Sequence, residues 1–329
     1  MDCTKAGERD GADRRSIGSA SPVLKTEAAA RGNPGHHSPG GIAPPAAGEA
    51  SATAAGLHAR QGGQRGLRWI PPLCLSGRWQ MAIDGWLLDQ VGPAARGAGT
   101  AEPVLRVYRW SRPTLSLGQH QRQLPPHWWQ LAQEGKLDLV RRPSGGRAVL
   151  HGFDLTYALI WPDPPRRRRQ AYAQTCAWLR ACFAEMGLPL NAGSDSLLVQ
   201  PPSCFSSATE ADLVHGDGSK RIGSAQYWRA GSLLQHGSIQ LAPPTDLWRA
   251  VFAEEPPALP PLPLGLEELI DLLRQQALSH LPMAAGLELQ CRDLSGEEWQ
   301  AIAPQLPRYG LSGRVGPETS PVASMDRAT

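Results

Sequence analysis

Large apolar side chains are missing from the first fifth of this 329-residue chain. Residues 1–66 contain no Phe, Trp or Tyr and only five Val, Ile or Leu, against 12 Gly and 14 Ala. Such a segment buries too little surface to offset the entropy lost on ordering, so 1–66 reads as a disordered Gly/Ala-rich tail. No apolar run approaches the roughly 18–20 residues of a membrane span, which excludes a membrane partner from the expectations. Asp2, Glu8, Asp10 and Asp13 argue against an acid-poor transit peptide. Cysteine is also scarce: Cys3, Cys74, Cys176, Cys182, Cys204 and Cys291 are scattered and form no Cys-x-x-Cys or other metal spacing. No metal is expected, and reduced thiols in a cytoplasmic protein are the simplest account. Excess charge is lacking too. Of 33 basic and 30 acidic residues, the tail holds 8 and 6, leaving 25 against 24 for the rest. That near-neutral balance weighs against nucleic acid despite a sequence pI near 8.6. Arg166–Arg169 is the one dense basic cluster, and it reads as a solvated linker ahead of a helix.

All 20 aromatics lie from Trp69 onward, and there the periodic segments begin. Ile83, Leu87 and Val91 fall four apart, predicting an amphipathic helix over 78–91 that Gly92-Pro93 ends. Val104–Trp110 and Thr114–Leu117 read as strands in a hairpin around Ser111-Arg112-Pro113. His127–Glu134 reads as a short helix closed by Gly135. A strand over 137–141, a glycine loop, a strand over 148–150, a turn and a strand over 155–161 follow. Tyr172, Cys176, Leu179, Phe183 and Met186 then mark one helix, stopped by Gly187. Residues 191–206 read as a loop, with strands at 211–214, 220–227 and 232–241. Pro256–Pro263 lies in a proline-rich linker (255–264). Helices from Leu266 and Gly296, a short strand over 287–291 and a flexible end from 313 complete the chain.

Three stretches carry candidate chemistry. Arg141, Arg142, Ser144, Gly145, Gly146 and Arg147 form the first: adjacent glycines allow positive φ and close approach to a ligand, and arginines pair with carboxylate or phosphate. It is not a P-loop, because no Lys-Ser or Lys-Thr follows, and taken alone a Gly-Gly between strands is more often a plain hairpin turn. The second runs from Lys220 through Gly223, Ser224 and Ala225 to Gln226, where a lysine beside a glycine-lined pocket can fix a carbonyl oxygen or an anion. A solvated hairpin-end lysine is the alternative. Cys204 is the third, in a polar loop where a neighbouring cation would lower its pKa, whereas Cys176 sits on the core stripe of its helix. His236-Gly237 admits a structural histidine. A Ser-His-Asp hydrolase is a poor fit, since no Gly-x-Ser-x-Gly elbow occurs.

Taken in order, these stretches resemble the catalytic domain of the biotin/lipoate protein ligase family. The resemblance rests on Gln80–Asp84, Leu105–Trp110 with Thr114–Gly118, the 141–151 loop ending in His151 with Leu155-Thr156-Tyr157, and Lys220–Gln226 followed by Gln235–Ser238. It implies an α/β fold, a mixed antiparallel sheet with helices, over about 67–312. The segment from Cys204-Phe205 to Asp212-Leu213-Val214 is similar to the cysteine loop of the octanoyltransferase branch. That similarity implies a Cys204 nucleophile, an acyl-binding Lys220, and Arg141, Arg142, Gly145, Gly146 and His151 in the loop covering the acyl group.

The implied reaction passes octanoyl from acyl carrier protein through a Cys204 thioester to a lysine of a lipoyl domain, on glycine-cleavage H protein or dehydrogenase E2 subunits. It needs no cofactor. The alternative within the family is an ATP-dependent lipoate-protein ligase, which would use ATP and Mg. Departures are serine at 144 in place of threonine, Glu210-Ala211 in place of an aromatic pair, and a 215–219 turn one residue longer.

Overall fold

The structure, a computed structural model, describes residues 66–98, 101–193 and 211–311. The expected tails lie outside these residues except Gly66, which instead opens the first strand. Cys204 and most of the expected 191–206 loop lie outside them as well.

The elements, in chain order, are β1 (Gly66–Leu75), α1 (Gly77–Gln90), α2 (Pro93–Gly97), β2 (Val104–Trp110), β3 (Thr114–Leu117), α3 (Pro126–Gln133), β4 (Asp138–Arg141), β5 (Val149–His151), β6 (Asp154–Trp161), α4 (Arg168–Thr175) and α5 (Ala177–Glu185). They continue with β7 (Asn191–Ala192), β8 (Leu213–Val214), β9 (Lys220–Arg229), β10 (Ser232–Gln240), α6 (Thr245–Phe252), α7 (Leu266–His280), β11 (Glu288–Cys291) and α8 (Gly296–Ile302). Among the described residues eight strands form one sheet in the order β11-β1-β2-β6-β10-β9-β8-β7, and β4-β3-β5 form a second. β1 runs parallel to both neighbours, while β2, β6, β10 and β9 pair antiparallel. The fold is therefore a mixed α/β one, as its sequence pattern implies.

Alternation along the central strands builds two cores. Leu105, Val107, Leu155, Tyr157 and Leu159 face α5 and α7. Val104, Tyr108, Ala158 and Ile160 face α1 and α8 on the opposite side. β6, covered on both faces, is buried at every position, which explains its nearly unbroken apolar run.

Three expectations need correction. β2 and β3 do not form a hairpin, because both edges of β2 are taken by β1 and β6. Nor do β4 and β5 pair across the glycine loop; they flank β3, parallel on one side and antiparallel on the other. The loop must therefore cross two inter-strand spacings, roughly 10 Å. The single helix over 172–186 divides at Cys176, where the Thr175 hydroxyl donates back to the Ala171 carbonyl at 2.7 Å. Such back-bonding bends helices. Cys176, Cys182 and Cys291 are free thiols. β1 escapes periodicity analysis because Pro71-Pro72 interrupt it, and its register against β2 shifts between Ile70 and Leu73. No described helix is long and apolar enough to cross a membrane.

One buried ion pair ties α1 to β2: Arg106 meets Asp84 at 2.8 Å, both side chains essentially inaccessible. Removing one partner leaves the other charge uncompensated. Arg106→Met should therefore lose about 3–5 kcal/mol in urea denaturation; a loss under about 1 kcal/mol would show that the pair does not hold the helix.

Candidate functional site

Two cavities meet where the glycine loop faces β9, and Gly146, Ser224 and Ala225 line both. The inner one, about 460 Å³, is walled by Met81 of α1, Tyr108 and Trp110 of β2, Val149 and His151 of β5, and Gly223, His236 and Gly237 of the β9–β10 hairpin. The outer one is open, about 1370 Å³, and is walled by Arg147, Arg168, Tyr172, Asp212, Lys220 and Trp228 among others.

Close backbone approach shapes the glycine loop. A Cβ on Gly118, at the end of β3, would stand 1.9 Å from the Gly146 carbonyl oxygen, so only glycine lets the loop lie across the strand. Gly146 itself has φ +94°, a conformation that glycine alone adopts freely. Arg142 holds the arch from beneath. Its guanidinium donates to the carbonyls of Ser116 (2.8 Å), Gly145 (2.8 Å) and Arg147 (2.7 Å) and to the Ser116 hydroxyl (3.2 Å). Arg141 similarly donates to the Gly118 and Gln121 carbonyls, both at 2.8 Å, and lines neither cavity.

Polar chains brace the inner walls. Asp154 accepts from His151 Nδ1 (2.8 Å), the Ser238 hydroxyl (2.6 Å) and the Thr156 hydroxyl (3.0 Å), and the Gly152 amide donates to its other oxygen (3.1 Å). Burial alone would raise its pKa, but His151 and these donors outweigh that and hold the carboxyl below its ordinary value. The Ser116 hydroxyl and His151 Nε2 are hydrogen-bonded at 2.8 Å, while Trp110 stacks on the imidazole at 4.0 Å. The second chain runs from Asp84 to His236 Nδ1 (3.3 Å) and from His236 Nε2 to the Ser144 hydroxyl (2.6 Å). Desolvation lowers the His236 pKa despite the Asp84 carboxylate, so the ring is neutral and Ser144 is the donor. Two Ser–His–Asp chains thus exist without a nucleophile elbow. Both serines are fully buried, and Ser116 is also held by Arg142.

Lys220 is buried on the outer cavity wall, 2.9 Å from Asp212, and the Ser224 amide donates to the same carboxylate at 3.4 Å. The structure therefore gathers Gly145, Gly146, Arg147, Lys220, Ser224 and Ala225 around the outer cavity. Arg142, His151, Gly223, His236 and Gly237 surround the inner one, with Ser144 hydrogen-bonded just behind it. Cys204 lies outside the described residues. No described cysteine lines either cavity, and burial pushes the Cys176 thiol up to about 11 and Cys182 to about 12. Sequence reasoning overlooked the three carboxylates. Gln80 and Asp84, four apart on the apolar face of α1, and Asp154, three after His151, were the signals that mark them.

A family model described as the lipoyl protein ligase A/B catalytic domain matches residues 76–257. A protein named octanoyltransferase LipM from Halalkalibacterium halodurans is 35% identical over 175 residues, covering 50% of this chain and 61% of the relative. Its namesake from Symbiobacterium thermophilum is 36% identical over 163 residues, covering 47% and 59%. The chain thus spans about three-fifths of the length of these relatives. Among solved structures, lipoate-protein ligase A bound with ATP superposes with a TM-score of 0.57 at 15% identity, covering 74% of this chain and 95% of that one. A chain from an archaeal bi-partite lipoate protein ligase and its E2 lipoyl domain, from Thermoplasma acidophilum, gives 0.55 at 15%, covering 74% and 93%. At these identities the solved structures share the fold.

The two chains make the site pH-sensitive in a definite direction. His236 has a lowered folded pKa, so below about 6.5 the unfolded state binds more protons and acidification destabilises the fold. Asp154 adds a second loss as pH falls through about 4, since its carboxyl is also held low. Urea midpoints should therefore drop between pH 7.5 and 5, and His236→Gln should flatten that step alone. An unchanged step in the variant would show that another group causes it.

Proposed function

Because the chain belongs to the lipoyl protein ligase A/B catalytic domain family, we propose that it is an octanoyltransferase that modifies lipoyl-domain proteins. The observation that carries this reading is the paired cavity: a slot walled by Met81, Tyr108, Trp110 and Val149 opens directly onto a charged chamber holding Lys220. An eight-carbon chain in the slot gains about 0.8 kcal/mol per buried methylene. Its carbonyl then stands at the join, near Gly146 and Ser224. The relatives named octanoyltransferase support the same assignment.

The nucleophile in this reading is Cys204, sixteen residues ahead of Lys220. Its thiolate attacks the octanoyl thioester of acyl carrier protein. The new C–S bond replaces the old one, and the phosphopantetheine sulfur leaves as a thiolate, which takes up the proton that Cys204 gave up. The thioester formed is nearly isoenergetic with the donor, so ATP is not required. A lysine amine of a lipoyl domain, on glycine-cleavage H protein or an E2 subunit, then attacks. The C–N bond forms, Cys204 is released as thiol, and the more stable amide draws the sequence forward. Lys220, paired with Asp212 at 2.9 Å, favours the thiolate and the developing oxyanion. Such a protein works in the cytoplasm, where both substrates meet.

Mixing the full chain with octanoyl-carrier protein, without ATP, should leave an octanoyl adduct on Cys204 by mass spectrometry, and Cys204→Ala should carry none. Lys220→Ala should slow transfer by about two orders of magnitude or more. Modification that requires ATP with free octanoate or lipoate, and survives Cys204→Ala, would instead establish the ligase chemistry.

A further inference from the structure

The arginine run at 166–169 has no role in the mechanism above, yet the fold sets one of its members, Arg168, on the outer cavity wall. Arg168 opens α4 and lines the cavity wall opposite the glycine loop, where Arg147 stands. Arg166 and Arg167 precede it, and all three are exposed. Among the described residues none of the three has a carboxylate partner. Asp212, the acid on the same cavity wall, is paired with Lys220 at 2.9 Å, and Asp163, just ahead in the chain, lies 3.8 Å from Arg96. The first turn of α4 carries no acidic residue either. The result is a cavity rim with concentrated positive charge in a protein part that is close to neutral overall.

A solvated linker of this composition gains nothing from being placed there, because like charges crowded together repel. The charge is productive if an anion comes to the rim while an apolar chain enters the slot behind it. An acyl thioester on a phosphopantetheine arm has that construction: an apolar tail, a thioester, an amide-rich arm, and then a phosphodiester joined to its carrier. We propose that Arg166, Arg167 and Arg168 form the docking surface for the phosphodiester and adjoining acidic surface of the acyl donor's carrier protein. This deepens the octanoyltransferase reading and rests on it for the identity of the acyl group. Charges on such a rim act chiefly on association rate and its salt dependence, not on the bond-making step.

Two measurements on the full chain separate the possibilities. The first is binding of fluorescently labelled octanoyl-carrier protein by anisotropy, which needs no turnover. Wild type should bind, more weakly as salt rises, and Arg166→Ala/Arg167→Ala/Arg168→Ala should bind at least tenfold more weakly with a flatter salt dependence. The second is the rate of acyl-adduct formation from three donors: octanoyl-carrier protein, octanoyl-coenzyme A and octanoyl-N-acetylcysteamine, which has no phosphate. The triple variant should lose at least tenfold with the carrier, less with coenzyme A, and under twofold with the phosphate-free thioester.

Equal carrier binding by wild type and variant, or no carrier binding by wild type, overturns the proposal. So does an equal loss with all three donors, which would point to damage of the site. An equal loss with carrier and coenzyme A would assign the arginines to a free phosphate-bearing arm instead of a carrier protein. Loss confined to transfer onto a lipoyl domain would assign them to the acceptor. Normal arginine-dependent carrier binding without any adduct would leave the docking surface standing and overturn the Cys204 reading.

Discussion

A carboxylate at the centre of a buried helix face has to be given its partners by the fold, and Asp84 organises much of the site through that need. Desolvating it costs several kcal/mol, which is offset by Arg106 at 2.8 Å, the Tyr108 hydroxyl at 3.0 Å and His236 at 3.3 Å. Burial and the adjacent carboxylate push the Tyr108 hydroxyl well above its usual range, so it stays a donor. These partners come from β2 and β10, which lie on either side of β6. One charge on α1 therefore clamps three central strands, and through His236 it also sets Ser144 at the root of the glycine loop. The tautomer of the ring follows from the same requirement, while its neutrality comes from desolvation against the pull of Asp84.

The loop's remaining geometry follows from strand order. Because β3 stands between β4 and β5, the connection has to cross the end of β3, where Gly118 and Gly146 almost touch. A loop bent in this way turns several carbonyls inward, and they need donors. Arg142 supplies them from one planar group with five N–H bonds. Its charge is thus spent largely on the backbone, and the outer cavity takes its own cations from Arg147, Lys220 and Arg168.

How much of this was legible in the sequence depended on the range of the interaction. Local patterns were read well: α1 at 77–90, β2 and β3 at 104–110 and 114–117, and β10 at 232–240 all sit within a residue or two of their expected bounds. Pairing was misread wherever sequence neighbours separate, as with β2 and β3, since nothing local says that β1 and β6 already occupy both edges of β2. β1 was hidden by Pro71-Pro72. The order of the Arg-Gly-Gly and Lys-x-x-Gly stretches placed the cavity walls, but their carboxylate partners Asp84, Asp154 and Asp212 were passed over. A carboxylate's role here is defined by what lies across the fold: 152 positions away for Asp84 and His236. The carbonyl partners of Arg142 were hidden for the same reason, because they cluster only once the loop closes.

The division between two cavities also constrains where the chemistry can occur. A thiol in the apolar interior is protected from reacting, as burial drives Cys176 to about 11 and Cys182 to about 12. The surroundings that suit an acyl tail therefore forbid a thiolate, and surroundings that suit a thiolate offer a hydrocarbon nothing. The fold separates the two demands by a few ångströms, joining them only at Gly146, Ser224 and Ala225. In the octanoyltransferase proposed above, the reacting carbonyl lies at that join, its tail inward and its leaving group outward. The small residues there are what physical reasoning asks of the position, since any larger side chain would fill the passage through which tail and reacting end are connected.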